Sequence, residues 1–266
     1  MSKTHIEYGQ TRASRTIFSV ANKSMSQPKQ TSTTKNVKTI RSEKNSESVK
    51  NKTLKKSSHQ WLARHLSDRF VAAAKKEGFI SRAAYKLIEI NTKYSIFQGS
   101  NLNILDLGSA PGSWAETILR TCKTINKLVL VDLLELKIEP SEKFQFFQGD
   151  FTSSEIQEKI QHEFAGKKIN VITSDIAPNI TGILDIDANN MMDILDKIIE
   201  FSKINLANNG ILVAKIFHNS FDPALKSRLR QNFKMVKLFK PEASRRSSSE
   251  IYIVCSGFFP SENGQK

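Results

Sequence analysis

Cysteine is almost missing. Cys122 and Cys255 are the only two in 266 residues, too few for a disulfide framework or a thiolate zinc site, so a reducing compartment is expected. The five histidines, His5, His59, His65, His162 and His218, fall at no metal-ligand spacing, and no metal is expected. Long hydrophobic runs are missing too: nothing approaches the roughly 18 consecutive apolar residues of a membrane span. Residues 1–15 lack the apolar stretch of a secretory signal. Neither an integral membrane protein nor a secreted one is expected. The dinucleotide pattern G-x-G-x-x-G does not occur, and there is no internal repeat.

Acidic residues are scarce at one end. The chain holds 40 Lys+Arg against 26 Asp+Glu, a formal charge of +14. Residues 1–60 contain 13 Lys/Arg and 3 Asp/Glu, which gives +10, so 14 − 10 leaves +4 for the remainder. Those 60 residues also hold 19 Ser/Thr, and their few apolar residues follow no period. Such a segment cannot offset the entropy of ordering, so 1–58 is expected to be a disordered basic tail ahead of a catalytic domain at 59–266. A tail of this charge is a phosphate-seeking element, because each Lys or Arg near a polyanion releases counterions. Its bland reading is a solubilising leader. The acid-free, Ser- and Arg-bearing stretch 8–42 also fits an organelle transit peptide, which makes the mitochondrial matrix the alternative to the cytoplasm.

From residue 60 the pattern changes. Apolar residues at three- and four-residue spacing predict helices over 61–76 and 82–94. Short apolar runs then alternate with helical stretches. Strands are expected at 103–107, 128–131, 144–147, 169–173, 211–217, 235–239 and 251–255, and helices at 112–121, 154–163, 189–207 and 222–231. Alternation of this kind builds a parallel doubly wound sheet. The linker 240–250 is too short for a helical crossover, so the last two strands should pair antiparallel. The expected class is α/β: a Rossmann-like, seven-stranded, mostly parallel sheet ending in an antiparallel hairpin, the architecture of S-adenosylmethionine-dependent methyltransferases.

The first strand runs into Asp106-Leu107-Gly108-Ser109-Ala110-Pro111-Gly112-Ser113-Trp114. A glycine-bearing turn between strand and helix lets backbone approach a ligand at the carboxyl edge of the sheet. Its glycines are four apart with a proline between, not the tight loop that cradles a diphosphate. Asp132 ends the second strand, where a carboxylate accepts both hydroxyls of a ribose. Asp150 ends the third, in reach of an adenine amino group, and Asp175 ends the fourth. Each aspartate alone reads as a turn or helix cap. Three acids after successive strands around one glycine loop point to a nucleoside, and S-adenosylmethionine, with ribose and adenine but no phosphate, fits. Lys215, inside an otherwise apolar strand, needs a partner or an exit at the sheet edge. Glu250 opens the last strand, and Lys86 rides on the helix that leads into the domain.

These segments together resemble the FtsJ/RrmJ (RlmE-like) family of ribose 2′-O-methyltransferases, in particular the bacterial enzymes acting on large-subunit ribosomal RNA. The matching stretches include Gln60-Trp61-Leu62, Ser81-Arg82-Ala83-Ala84-Tyr85-Lys86, the 106–114 loop, Val131-Asp132, Gly149-Asp150-Phe151, Ser174-Asp175-Ile176-Ala177-Pro178-Asn179, Ala214-Lys215-Ile216-Phe217 and Ser249-Glu250-Ile251-Tyr252. They span about 60 to 256 in the family's order and leave the first 58 residues uncovered. One departure stands out, His218-Asn219 where the family leads one to expect a glycine. The resemblance implies a catalytic tetrad of Lys86, Asp175, Lys215 and Glu250. Lys215 would receive the proton or stabilise the developing oxyanion, Asp175 would orient it, and Lys86 and Glu250 would hold the ribose. It implies a cofactor site at Asp106, Gly108, Pro111, Gly112, Trp114, Asp132, Asp150 and Asp175. It also implies a partner, large-subunit ribosomal RNA or the assembled subunit, with a uridine as target and a monomer as the working unit.

Two basic groups flank this expected site: Lys226, Arg228, Arg230, Lys234, Lys237, Lys240, Arg245 and Arg246 on one side, Arg64, Arg69, Lys75, Lys76 and Arg82 on the other. Such groups suit RNA phosphates. The alternatives are a nucleobase N-methyltransferase and a non-catalytic RNA-binding or ribosome-assembly protein. The first would place an aromatic in the loop after the fourth strand to stack a flipped base, and Ile176-Ala177-Pro178-Asn179 has none.

Overall fold

The computed structural model describes residues 68–245 and 247–260. The expected basic tail, segment 61–67 of the first expected helix, Arg64 and Arg246 lie outside the described residues.

The elements follow in the order α1 (Arg69–Glu77), α2 (Ala83–Tyr94), β1 (Leu102–Leu107), α3 (Ser113–Thr121), β2 (Ile125–Asp132), β3 (Gln145–Gln148), α4 (Ser154–Glu163), β4 (Ile169–Ser174), α5 (Leu184–Asn205), β5 (Leu206–Phe217), α6 (Pro223–Arg230), β6 (Phe233–Phe239) and β7 (Glu250–Phe258). The seven strands form one sheet in the order β3-β2-β1-β4-β5-β7-β6. Pairs from β3 to β5 are parallel, and β7 is antiparallel to both β5 and β6. The expected terminal hairpin is present, with its second strand inserted in the sheet rather than laid on the edge.

Period-two alternation in the strands sorts the core into two layers. Leu105, Leu107, Val129 and Ile172 pack with Ile160 of α4, Leu195 of α5 and Leu229 of α6 on one face. Ile104, Leu130, Val171, Val213 and Val254 pack with Leu87 and Ile90 of α2 and Trp114 and Ile118 of α3 on the other. Each of these side chains contributes about 1.5–3 kcal/mol through burial. The polar residues Asp106, Thr173, Lys215 and Tyr252 alternate onto the second face, where the site forms.

Three expected boundaries need correction. The first expected helix does not run through residue 68: Asp68 has extended backbone (φ −75°, ψ 114°) and its carboxylate accepts from Phe70 N–H, capping α1 instead. The helix expected at 189–207 starts at Leu184. Its polar first turn hides the period, because Asp187 folds back to accept from Thr181 N–H, Thr181 hydroxyl and Gly182 N–H. The strand expected at 211–217 begins at Leu206. Asn209-Gly210 reads as a turn, yet the chain absorbs it as a bulge, with Asn209 at φ 60° and a register shift between Ile169 and Val171 on β4. No helix among the described residues is long and apolar enough to cross a membrane.

Candidate active site

The carboxyl ends of β1, β2 and β4 are laced together by backbone. Gly108 N–H donates to Val131 C=O at 2.8 Å and Asp175 N–H to Leu107 C=O at 3.0 Å. Gly108 sits at φ +74°, and a Cβ there would stand 2.7 Å from Ile176 N. Its close approach is thus to the β4 exit loop, which fixes the spacing between the glycine loop and Asp175. Gly112, at φ +116°, would place a Cβ 2.7 Å from an Ile138 methyl. Both turns need glycine for internal packing.

Beside this junction lies a cavity of about 460 Å³, with Gly108, Asp132, Asp150 and Asp175 on its wall. Asp132 Oδ2 accepts from Ala110 N–H and Oδ1 from Leu134 N–H, both at 2.8 Å, so the carboxylate also shapes the glycine loop. Asp150 Oδ1 accepts from Thr152 N–H and hydroxyl. No lysine or arginine lines this cavity. A larger hollow of about 850 Å³ opens between β3 and the β2–β3 connection, and it shares no residue with the aspartate cluster. Size therefore does not mark the site; convergent carboxylates do.

Four expected cofactor residues are not on this wall. Trp114 is buried in the α2–α3 layer, donates from Nε1 to Ala83 C=O at 2.9 Å and packs on Tyr252. Pro111 and Gly112 turn the chain into α3, with Pro111 C=O accepting from Lys137 N–H. Asp106 is wholly buried under the loop.

Asp175 joins the cavity to a second cluster. Lys215 Nζ stands 3.1 Å from its Oδ1, Lys86 Nζ 3.6 Å from its Oδ2, and Glu250 receives both lysines at 3.8 and 3.6 Å. Lys215 Nζ also donates to Asp175 C=O at 2.6 Å. At 5% exposure Lys215 has, among the described residues, only these partners to offset its lost hydration. Residues from α2, the end of β4, β5 and the start of β7 thus meet as the sequence led one to expect. Burial pushes the Asp175 carboxyl up, but the ammoniums of Lys215 and Lys86 and its hydrogen bonds outweigh that and hold it below the usual carboxylate range.

Tyr252 is the member that sequence reasoning missed. Fully buried opposite Lys215 on β7, it donates its hydroxyl to Asp175 Oδ1 at 2.7 Å, and Lys86 Nζ lies 5.7 Å from its ring centroid. Burial first, then the charges of Asp175 and Glu250, raise its hydroxyl well above the ordinary tyrosine value, so it stays a donor. The signal was there: Tyr252 is two residues beyond Glu250 and shares its face. Tyr252→Phe is expected to cost about 1.5–3 kcal/mol of stability, since the lost bond is to a charged group. The hydrogen bond holds Asp175 low, so its loss should move the acid limb of the pH–rate profile to higher pH. An unmoved acid limb would count against this link.

The basic groups divide. Arg82 is committed to Asp68 and the Ala243 carbonyl, and Arg228 to Asp196, so neither is a spare phosphate donor. Arg69 pairs with Glu242 on the surface. Lys75, Lys76, Lys226, Arg230 and Lys237 stand exposed.

Residues 79–258 match the profile of the FtsJ-like methyltransferases. The chain belongs to the FtsJ-like methyltransferase family. As an FtsJ-like methyltransferase it is 38% identical over 199 residues to the ribosomal RNA large subunit methyltransferase E of Francisella philomiragia, across 75% of this chain and 95% of that protein. The protein of the same name from Francisella tularensis subsp. novicida is 37% identical over 202 residues, across 76% and 97%. A solved structure, a ribosomal RNA methyltransferase from Plasmodium falciparum, superposes on this FtsJ-like chain with a TM-score of 0.60 at 30% identity, covering 68% of this chain and 100% of that one. The resemblance to the FtsJ/RrmJ family is thereby borne out.

Proposed function

We propose that this methyltransferase moves the methyl group of S-adenosylmethionine onto a ribose 2′-hydroxyl of large-subunit ribosomal RNA, with a uridine as the target. One observation carries the reading: Asp175 is at once a wall of the carboxylate-lined cavity and the hub of the Lys86–Lys215–Glu250 cluster. A cavity with three aspartates and no cation suits a nucleoside that is cationic and phosphate-free, and disfavours a dinucleotide. Asp132 and Asp150 would hold its ribose and adenine. Bound there, the cofactor supplies an electrophilic methyl group.

The chain's own work is positional and electrostatic. Lys215, clamped by two carboxylates and a carbonyl, presents its ammonium from a buried and fixed place, so it stabilises negative charge growing on the 2′-oxygen as the proton leaves. Lys86 and Glu250 hold the ribose beside it, and Asp175 keeps both ammoniums from drifting. Much of the rate then comes from holding hydroxyl and methyl in line. Mapping of 2′-O-methyl groups at nucleotide resolution, after incubating unmodified ribosomal RNA or subunits with the chain and methyl donor, tests the assignment. Methylation of base nitrogens alone would overturn it.

The cofactor reading gives a graded expectation. Asp132→Ala should weaken S-adenosylmethionine binding more than Asp150→Ala, because Asp132 also anchors the Ala110 and Leu134 amides. Each loss is on the order of 1–3 kcal/mol, readable by calorimetry, and unchanged affinity in both would remove the site. The same reading assigns residues 1–58 to phosphate contact. Deleting them should leave cofactor affinity intact and flatten the salt dependence of RNA binding. An equal salt slope with and without them would reduce the segment to a leader.

A further inference from the structure

Asp106 has no part in the mechanism described so far. It is wholly buried on β1, on the same face as the tetrad. Its Oδ1 accepts from the Thr173 hydroxyl at 2.6 Å, while Oδ2, equally buried, has no hydrogen-bond partner among the described residues. Apart from the Thr173 hydroxyl, which favours the charged form, the groups around it are unfriendly to negative charge. Leu130 of β2 and Thr173 of β4 flank it in register, and the carboxylates of Asp132 and Asp175 act on it from the ends of those strands. The nearby cations, Lys86 and Lys215, are ion-paired with Asp175 and Glu250 and not with Asp106. Two residues on, just past the end of β1, Gly108 lines the cavity, so Asp106 lies close behind its wall, within the influence of two of its carboxylates, Asp132 and Asp175.

An ionised carboxylate with a dry, unpaired oxygen and two like charges for neighbours is costly. Burial, opposed by the Thr173 hydrogen bond and reinforced by Asp175 and Asp132, pushes the Asp106 carboxyl up to about 8. It therefore carries a proton at neutral pH. A positive charge placed in the cavity would reverse that balance, without touching Asp106, by offsetting the two carboxylates.

We propose that Asp106 is the charge-sensing acid of the cofactor cavity, holding its proton in the free protein and releasing it when a sulfonium cofactor enters. This rests on the cavity being the S-adenosylmethionine site. On entry the Asp106 O–H bond breaks and the proton goes to solvent. Methyl transfer turns the sulfonium into a neutral thioether and frees the hydroxyl's proton, and the Asp106 carboxylate then takes up a proton again. One proton leaves, one is bound, and the net charge within the site is conserved across the reaction. The carboxylate thereby adds to the preference for methyl donor over spent product that the three wall aspartates already give.

Calorimetry on the full chain at pH 7, in buffers of different ionisation enthalpy, tests this. Up to one proton should be released with S-adenosylmethionine and fewer with S-adenosylhomocysteine. Donor affinity should rise by at most about tenfold per pH unit below about pH 8 and level off above it. Asp106→Asn should lose that release while still binding the donor. The donor's own amine titrates equally in both proteins, so the difference between them isolates Asp106. Equal proton counts in wild type and Asp106→Asn would overturn the proposal. Infrared difference spectra of the wild type give a second reading that needs no variant: the C=O stretch of a protonated carboxylic acid should vanish on adding donor and persist with product. Its absence, or its persistence with donor, would also overturn the proposal. No donor binding at any pH would instead overturn the reading of the cavity itself.

Discussion

Lys215→Ala is expected to lower the single-turnover rate of methyl transfer by about 10²–10⁴-fold, with S-adenosylmethionine affinity close to that of the wild type. The split follows from where the ammonium sits. Lys215 is not on the cavity wall, and it touches that wall only through Asp175. Removing it takes away the buried positive charge facing the 2′-oxygen and leaves the carboxylates of Asp132, Asp150 and Asp175 in place for the cofactor. The fold should tolerate the change, because Asp175 keeps Lys86 and Tyr252 as partners. Rates under saturating RNA and donor exclude product release from the comparison. A wild-type single-turnover rate in Lys215→Ala would end the 2′-O mechanism argued above.

Asp175→Ala should be the more damaging of the two, and in three measurements at once. The carboxylate is shared by two lysines and a tyrosine. Its removal leaves two recessed ammoniums sharing Glu250 as their one remaining carboxylate among the described residues, a loss of about 3 kcal/mol for breaking a buried pair from one side. Activity should fall at least as far as in Lys215→Ala, and donor affinity should fall too because a cavity wall is gone. Urea denaturation, a donor titration and a single-turnover assay read the three effects. Asp175→Asn separates them, since an amide oxygen still accepts from Tyr252 but carries no charge. Undiminished stability in Asp175→Ala would mean the lysines are held by something other than this carboxylate. The pH sense follows from the depressed Asp175 carboxyl. Its stabilisation is present above the ordinary carboxylate range, near about 4, and is lost as pH falls through its lower folded value.

Much of this site could be read from the chain before its fold was seen, for a physical reason. Lys86, Asp175, Lys215 and Glu250 are charged residues at places where strand ends and apolar runs make charge costly, and costly residues are informative. The strands were legible because their apolar runs are short and bounded by turn residues. What escaped notice was what charge and period do not report. Tyr252 is apolar enough to read as core, so its hydroxyl went unassigned beside the conspicuous Glu250. Gly108 was expected to let backbone approach a ligand, and it does line the cavity, but neither charge nor period reports that its missing Cβ also leaves room for Ile176. Arg82 counted as a phosphate contact until Asp68 and the Ala243 carbonyl were seen to occupy it. The start of α5 stayed hidden because Asp185 and Asp187 break the apolar period while favouring a helix N-terminus.

The place of β7 in the sheet has a consequence for how the protein is born. This strand is the last of the seven to leave the ribosome, yet it lies between two that were made before it. A nascent chain stopped short of residue 250 has β5 and β6 but nothing to bridge them, and each offers a bare row of amides and carbonyls to any other strand nearby. Such a chain also lacks Glu250 and Tyr252, so Lys215 and Asp175 each miss one of their partners. Catalytic competence and the closing of the sheet therefore arrive in one step, once β7 has been made, and a copy terminated before it is an aggregation hazard before it is an inactive enzyme.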